Sequence, residues 1–162
     1  MNEIYKENIR LLSSTEYQEE TGMGARFIVI CKDNASYIMD LGKDIVSIIN
    51  KYSVPDQPWP SVEQWAYILP KNFTDRFFLE AGNSNLQDKD NSWSLEVWLY
   101  WMNPQHRTWF WWDSALFDEP IKDTHFVVSV RTISELPYFS ANSFKWLFKA
   151  CGAIEVISED EL

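Results

Sequence analysis

Residues 93–112 read WSLEVWLYWMNPQHRTWFWW, and six of the nine tryptophans of the chain fall inside this stretch. Aromatic and β-branched residues suit a pleated surface, and Asn103-Pro104-Gln105-His106 has the composition of a tight turn, so the stretch predicts two strands joined as a β-hairpin. With the loop at 103–106, Tyr100/Trp109, Trp98/Trp111 and Glu96/Asp113 would pair on one face. Val97/Trp112, Leu99/Phe110 and Trp101/Thr108 would pair on the other. Both faces are apolar, which predicts a central place in a sheet covered by helices. Like charges side by side are unfavourable and buried carboxylates need partners, so the end carrying Glu96 and Asp113 is expected to face water.

Working outward, residues 124–132 (THFVVSVRT) predict a further strand, and the run 93–102, 107–113, 124–132 predicts an antiparallel meander. Arg26 to Cys31 predicts a buried strand and Ala153 to Ile157 a short last one. Phe144, Leu147, Phe148 and Cys151 recur at helical spacing before Gly152, which predicts a helix over 141–151 with a left-handed cap. Leu41, Ile45, Ile48, Ile49 and Tyr52 predict a core-facing helix capped by Asp40. Ser61 opens a helical turn that Pro70 ends, and residues 71–81 continue in helical pattern with Phe73, Phe77 and Phe78 on one side. Near the start, Tyr5, Ile9 and Leu12 are spaced as a helix, although Ile9 and Leu11 also permit a strand. The expected fold class is α+β: an antiparallel sheet of about four to five strands built on the Trp-rich central hairpin, packed against about three to four helices.

A chain of 162 residues and 19.1 kDa is long enough for one well-buried domain, and no linker or repeat divides it, so residues 1–162 are expected to form a single domain. Aromatics at 16% and hydrophobics at 46% exclude a disordered chain. The formal charge is −10, which disfavours nucleic acid and anionic membrane and favours a cationic partner. Neither cysteine, Cys31 or Cys151, lies in a CxxC or metal-spaced cluster, so buried reduced thiols are expected and no metal or other cofactor. Asp88 and Asp90 resemble the start of a calcium loop but lack its glycine and closing glutamate. With no secretory signal pattern and no long apolar run, the expected location is the cytoplasm.

The open end of the expected hairpin gathers acids from two loops, Asp88 and Asp90 before its first strand and Asp113, Asp118, Glu119 and Asp123 after its second. An aromatic surface rimmed by acids has the composition of a recognition patch, with indoles and tyrosines as anchors and charges as steering groups. The expected partner-binding set is Glu96, Trp98, Tyr100, Trp109, Trp111, Asp113, Asp118 and Glu119. In size, acidity and aromatic content the chain is similar to bacterial immunity proteins, which implies an inhibitor of a basic toxin such as a nuclease. Two other readings stand beside it: a small-molecule-binding or regulatory domain with an aromatic pocket, and an enzyme such as a hydrolase using paired carboxylates. No nucleophile motif, phosphate loop or HExxH spacing supports catalysis, so a non-enzymatic role is expected.

Overall fold

A computed structural model describes residues 3–12, 24–83, 94–116, 123–132 and 141–159. Within them lie six helices, α1 (Glu3–Leu12), α2 (Ala35–Lys51), α3 (Val62–Ile68), α4 (Lys71–Asn83), α5 (Leu95–Met102) and α6 (Asn142–Cys151). Four strands, β1 (Gly24–Ile30), β2 (Trp109–Leu116), β3 (His125–Thr132) and β4 (Glu155–Ser158), form one antiparallel sheet in the order β2-β3-β1-β4. The α+β class and the antiparallel sheet are as the sequence predicts.

The hairpin is not. Its second arm is strand β2, but its first arm is helix α5, and β2 pairs with β3 instead, Trp111 opposite Val130. Leu95, Trp98, Leu99 and Met102 are buried at i, i+3, i+4 and i+7, the spacing of one helical face, and Ser94 caps the helix by accepting the Val97 N–H at 3.1 Å. A turn does lie at residues 103–106. The Asn103 carbonyl accepts the His106 and Arg107 N–H groups and the Asn103 side chain accepts the Gln105 N–H, but the turn joins a helix to a strand.

The other elements follow their local chemistry. Ser61 and Gln64 complete a capping box at α3, Ser61 Oγ accepting the Gln64 N–H and Gln64 Oε1 accepting the Ser61 N–H. Gly152 ends α6 in the left-handed region, φ 112°, as the sequence predicts. Helix α2 begins at Ala35, earlier than an Asp40 cap would place it, because Asp123 reaches across from the start of β3. Its carbonyl accepts the Ala35 N–H and its carboxylate accepts the Ser36 N–H and hydroxyl.

One sheet face carries Phe27, Val29, Phe126, Val128, Val130 and Val156 into the core beneath α6, where Phe144 meets Phe27 at a tilt and Phe148 meets Phe126 edge-on. Helices α4 and α5 lie behind α6, with Phe77 on Trp146 and Phe73 edge-on to Trp98. Helix α2 packs so tightly against α6 that a Cβ added at Gly42 would lie 2.7 Å from Phe148 Cε1. Gly42→Ala gains about 1 kcal/mol of helix propensity but forces a buried ring aside at about 1–3 kcal/mol. A net fall in the urea midpoint at unchanged slope is the expected result; a rise would mean that Phe148 relaxes freely.

Helix α1 reverses the face its sequence suggests. Tyr5 and Ile9 are exposed, and the side chains turned inward are Glu7, Arg10 and Leu11. The reason is the neighbouring edge strand. The backbone N–H of Trp111 is accepted by Glu7, the Trp111 carbonyl takes the Arg10 Nε–H at 2.9 Å, and the Trp109 carbonyl takes the Arg107 Nε–H at 3.0 Å. Charged side chains thereby occupy hydrogen-bonding groups of an edge that could otherwise pair with another chain.

Candidate functional site

Helix α5 is apolar on two sides, and only one can be buried. Its inward side carries Trp98, which has no exposed surface, donates its indole N–H to the Ser143 carbonyl at 3.0 Å and packs on Phe73 and Phe77. Trp109 donates to Ser143 Oγ at 2.9 Å and meets Phe144 edge-on, and Trp111 packs on Phe148. These three indoles were expected on a wet recognition face and lie instead in the core. The physical reason is that α5 and β2 converge on α6, where Ser143 offers both indoles an acceptor and the aromatic rings can leave water.

The outward side of α5 presents Val97, Tyr100 and Trp101, which are 41%, 52% and 36% exposed and stand at i, i+3 and i+4. Tyr100 is held from both sides: its ring stacks on His106 at 4.1 Å between centroids, and Trp101 meets it edge-on at 5.2 Å. His106 is itself fixed by the turn, its Nδ1 lying 3.2 Å from the Tyr100 carbonyl oxygen. Glu96, exposed in the first turn, supplies the negative charge of this face. The outward side of α5 thus presents one aliphatic and two aromatic side chains to solvent on a single helix.

Of the residues expected at a partner site, the structure therefore leaves Glu96 and Tyr100 on one exposed face and withdraws Trp98, Trp109 and Trp111 into the core. Asp113 is half-buried on β2, in the same sheet row as Ser129 and Arg26 rather than beside Glu96. Asp118, Glu119, Asp88 and Asp90 lie outside the described residues. Val97 and Trp101 were missed because the hairpin reading assigned them to the buried face. The spacing of Leu95, Trp98, Leu99 and Met102 was the signal that could have found them.

Comparison with family models, curated proteins and solved structures finds no match.

Among the described residues no group of three or more His, Cys, Asp or Glu could hold a metal ion, and no helix is long and apolar enough to cross a membrane. Both cysteines are buried. Burial, helped by the nearby Asp123 carboxylate, pushes the Cys31 thiol up to about 11, and burial raises Cys151 further, so neither offers a thiolate at neutral pH. His125 lies with Nδ1 2.6 Å from the Thr124 hydroxyl.

A fully buried polar knot joins α1, α2 and the α5–β2 turn. Glu7 accepts from Arg107 Nη2, 2.6 Å from Oε1, and from Asn50 Nδ2 at 2.8 Å, while Arg107 Nη1 donates to Asn50 Oδ1 at 2.8 Å. Every charged atom here is matched within the fold, so the knot holds structure together and leaves nothing for a ligand to satisfy.

A second surface feature is an open groove of about 530 Å³ between the end of α2 and α3, walled by Tyr52, Trp59 and Tyr67 with Pro58 and Pro60. Tyr67 is 92% exposed.

Proposed function

We propose that this chain is an acidic cytoplasmic binding protein that docks a basic protein partner through the outward face of α5, in the manner of an immunity protein neutralising a cationic toxin. The observation that carries the proposal is the exposure of Val97, Tyr100 and Trp101 on one helical face beside Glu96, in a chain of formal charge −10. Rigid tyrosine and tryptophan side chains lose little conformational freedom on binding and dominate interface energetics, while a negative field raises the rate at which a cationic protein arrives. The reversed α1 supports the same reading. Together with Arg107 it occupies backbone groups of Trp109 and Trp111 and so disfavours strand addition at that part of the β2 edge, which is consistent with recognition through side chains on a helix.

The test uses immobilised wild-type protein and a Tyr100→Ala/Trp101→Ala variant, exposed to extract from the native cell at low and high salt. The expected bound protein is basic, is lost from the variant by at least about thirtyfold in affinity, as removal of an interface anchor of about 2 kcal/mol requires, and is released by salt. Acidic captured proteins, or capture indifferent to both the variant and salt, would defeat the proposal.

A second reading rests on the groove of Tyr52, Trp59 and Tyr67, whose aromatic walls and volume lie in the range of ligand sites. Under it the chain is a ligand-binding or regulatory domain, and saturable quenching of tryptophan fluorescence by a small ligand would support it.

A further inference from the structure

We infer that the groove between α2 and α3 binds an extended, proline-rich segment that carries a basic residue. Two of its three aromatic walls are fixed in advance: Tyr52 and Trp59 pack against the fully buried Trp65 with ring centroids 5.2 and 5.0 Å away. The connector holding Trp59 is stiffened by Pro55, Pro58 and Pro60, closes a turn through Gln57 N–H to the Val54 carbonyl, and runs into the Ser61 capping box. A groove built this way is formed before its ligand arrives.

Its hydrogen-bonding groups point to the ligand's chemistry. The Tyr52 and Tyr67 hydroxyls and the Trp59 indole N–H have no hydrogen-bond partner among the described residues. They can all donate, and the indole can do nothing else. A polyproline II chain is the matching partner, because its proline residues offer carbonyl acceptors, bring no N–H to satisfy, and present ring faces that pack on aromatic walls at low entropic cost. A compact small molecule fits less well, since high-affinity ligands bury most of their surface and this groove is open along one side. The charge requirement comes from the surroundings. Among the described residues no Lys, Arg or His lines the groove; the exposed Asp56 and Glu63 stand next to its lining residues Gln57 and Gln64 in sequence, as Lys51 stands next to Tyr52, within a chain of charge −10. An arginine or lysine next to the prolines would meet both the carboxylates and the aromatic faces.

The site is separate from the α5 face and stands or falls independently of it. Calorimetric titration of the whole protein would use an Arg-(Pro)n-Arg peptide of about ten residues, with an Arg-(Gly-Ser)n-Arg peptide of equal length and charge as control. The expected result is at least about tenfold tighter binding of the proline peptide, and a further loss of about tenfold or more in Tyr67→Ala and in Trp59→Ala. Tyr67 is so exposed that its removal leaves the fold unchanged, which keeps the test informative if Trp59→Ala unfolds. The Tyr100→Ala/Trp101→Ala variant should bind the peptide as wild type does, so failure of the α5 proposal and failure of this one are distinguishable. Equal binding of the two peptides, binding of neither, indifference to Tyr67→Ala, or displacement of the proline peptide by tetramethylammonium would each overturn the inference. The last of these would assign the rings to a bare cation instead.

Discussion

Glu7→Ala is expected to cost about 3–5 kcal/mol of folding stability, the penalty for leaving one half of a buried ion pair without the other. Glu7 has no exposed surface, and its carboxylate accepts from Arg107 Nη2, from Asn50 Nδ2 and from the Trp111 backbone N–H. Removing it strands a guanidinium that is itself 4% exposed and reopens the β2 edge. Small domains have about 5–15 kcal/mol in total, so the loss is a large fraction of what holds the chain folded. A double variant separates the pair from its members. Glu7→Ala/Arg107→Met removes both charges together, and it should be markedly more stable than the sum of the two single losses, because no unpaired charge remains. Urea unfolding of the four proteins in the cycle measures this. A Glu7→Ala loss below about 1 kcal/mol would mean that α1 is not docked on the sheet edge as described.

That knot also marks where the sequence stops being readable. Glu7 and Arg107 are separated by 100 positions, and Asp123 and Ser36 by 87, so neither the inward turn of a charged helix face nor the early start of α2 has any local signature. Where the deciding interaction is local, the reading holds. Ser61 with Gln64, Gly152 at the end of α6, and the spacing of Phe144, Leu147, Phe148 and Cys151 each carry their own instruction. Helix α5 is the intermediate case. Its sequence contains the same i, i+3, i+4, i+7 set as α6, but Val97, Tyr100 and Trp101 fill the remaining positions with apolar residues. Two periods then match at once, and the strand preference of aromatic residues favours the wrong one. The same ambiguity hid the candidate site, since choosing the period also chooses which rings face water. Of the residues the sequence assigns to a partner surface on this stretch, only Glu96 and Tyr100 share the exposed face of α5.

The two tryptophans on α5 should respond to truncation in opposite ways. Trp98→Ala removes a fully buried indole, its hydrogen bond to the Ser143 carbonyl and its contacts with Phe73 and Phe77, and a loss of about 3–5 kcal/mol is expected for a cavity of that size. Trp98→Phe should recover the greater part of it, because the ring contacts survive and only the indole N–H bond and part of the volume are lost. Trp101→Ala, three residues on, removes a side chain that is 36% exposed and meets Tyr100 edge-on, and should cost less than about 1 kcal/mol. Chemical denaturation of the three variants decides between helix and hairpin without any partner in hand. In a hairpin, Trp98 and Trp101 point to opposite faces of a sheet covered on both sides, so both truncations would be severe. Equal losses at the two positions would refute the orientation of α5, and with it the exposed Val97, Tyr100 and Trp101 face on which partner docking depends.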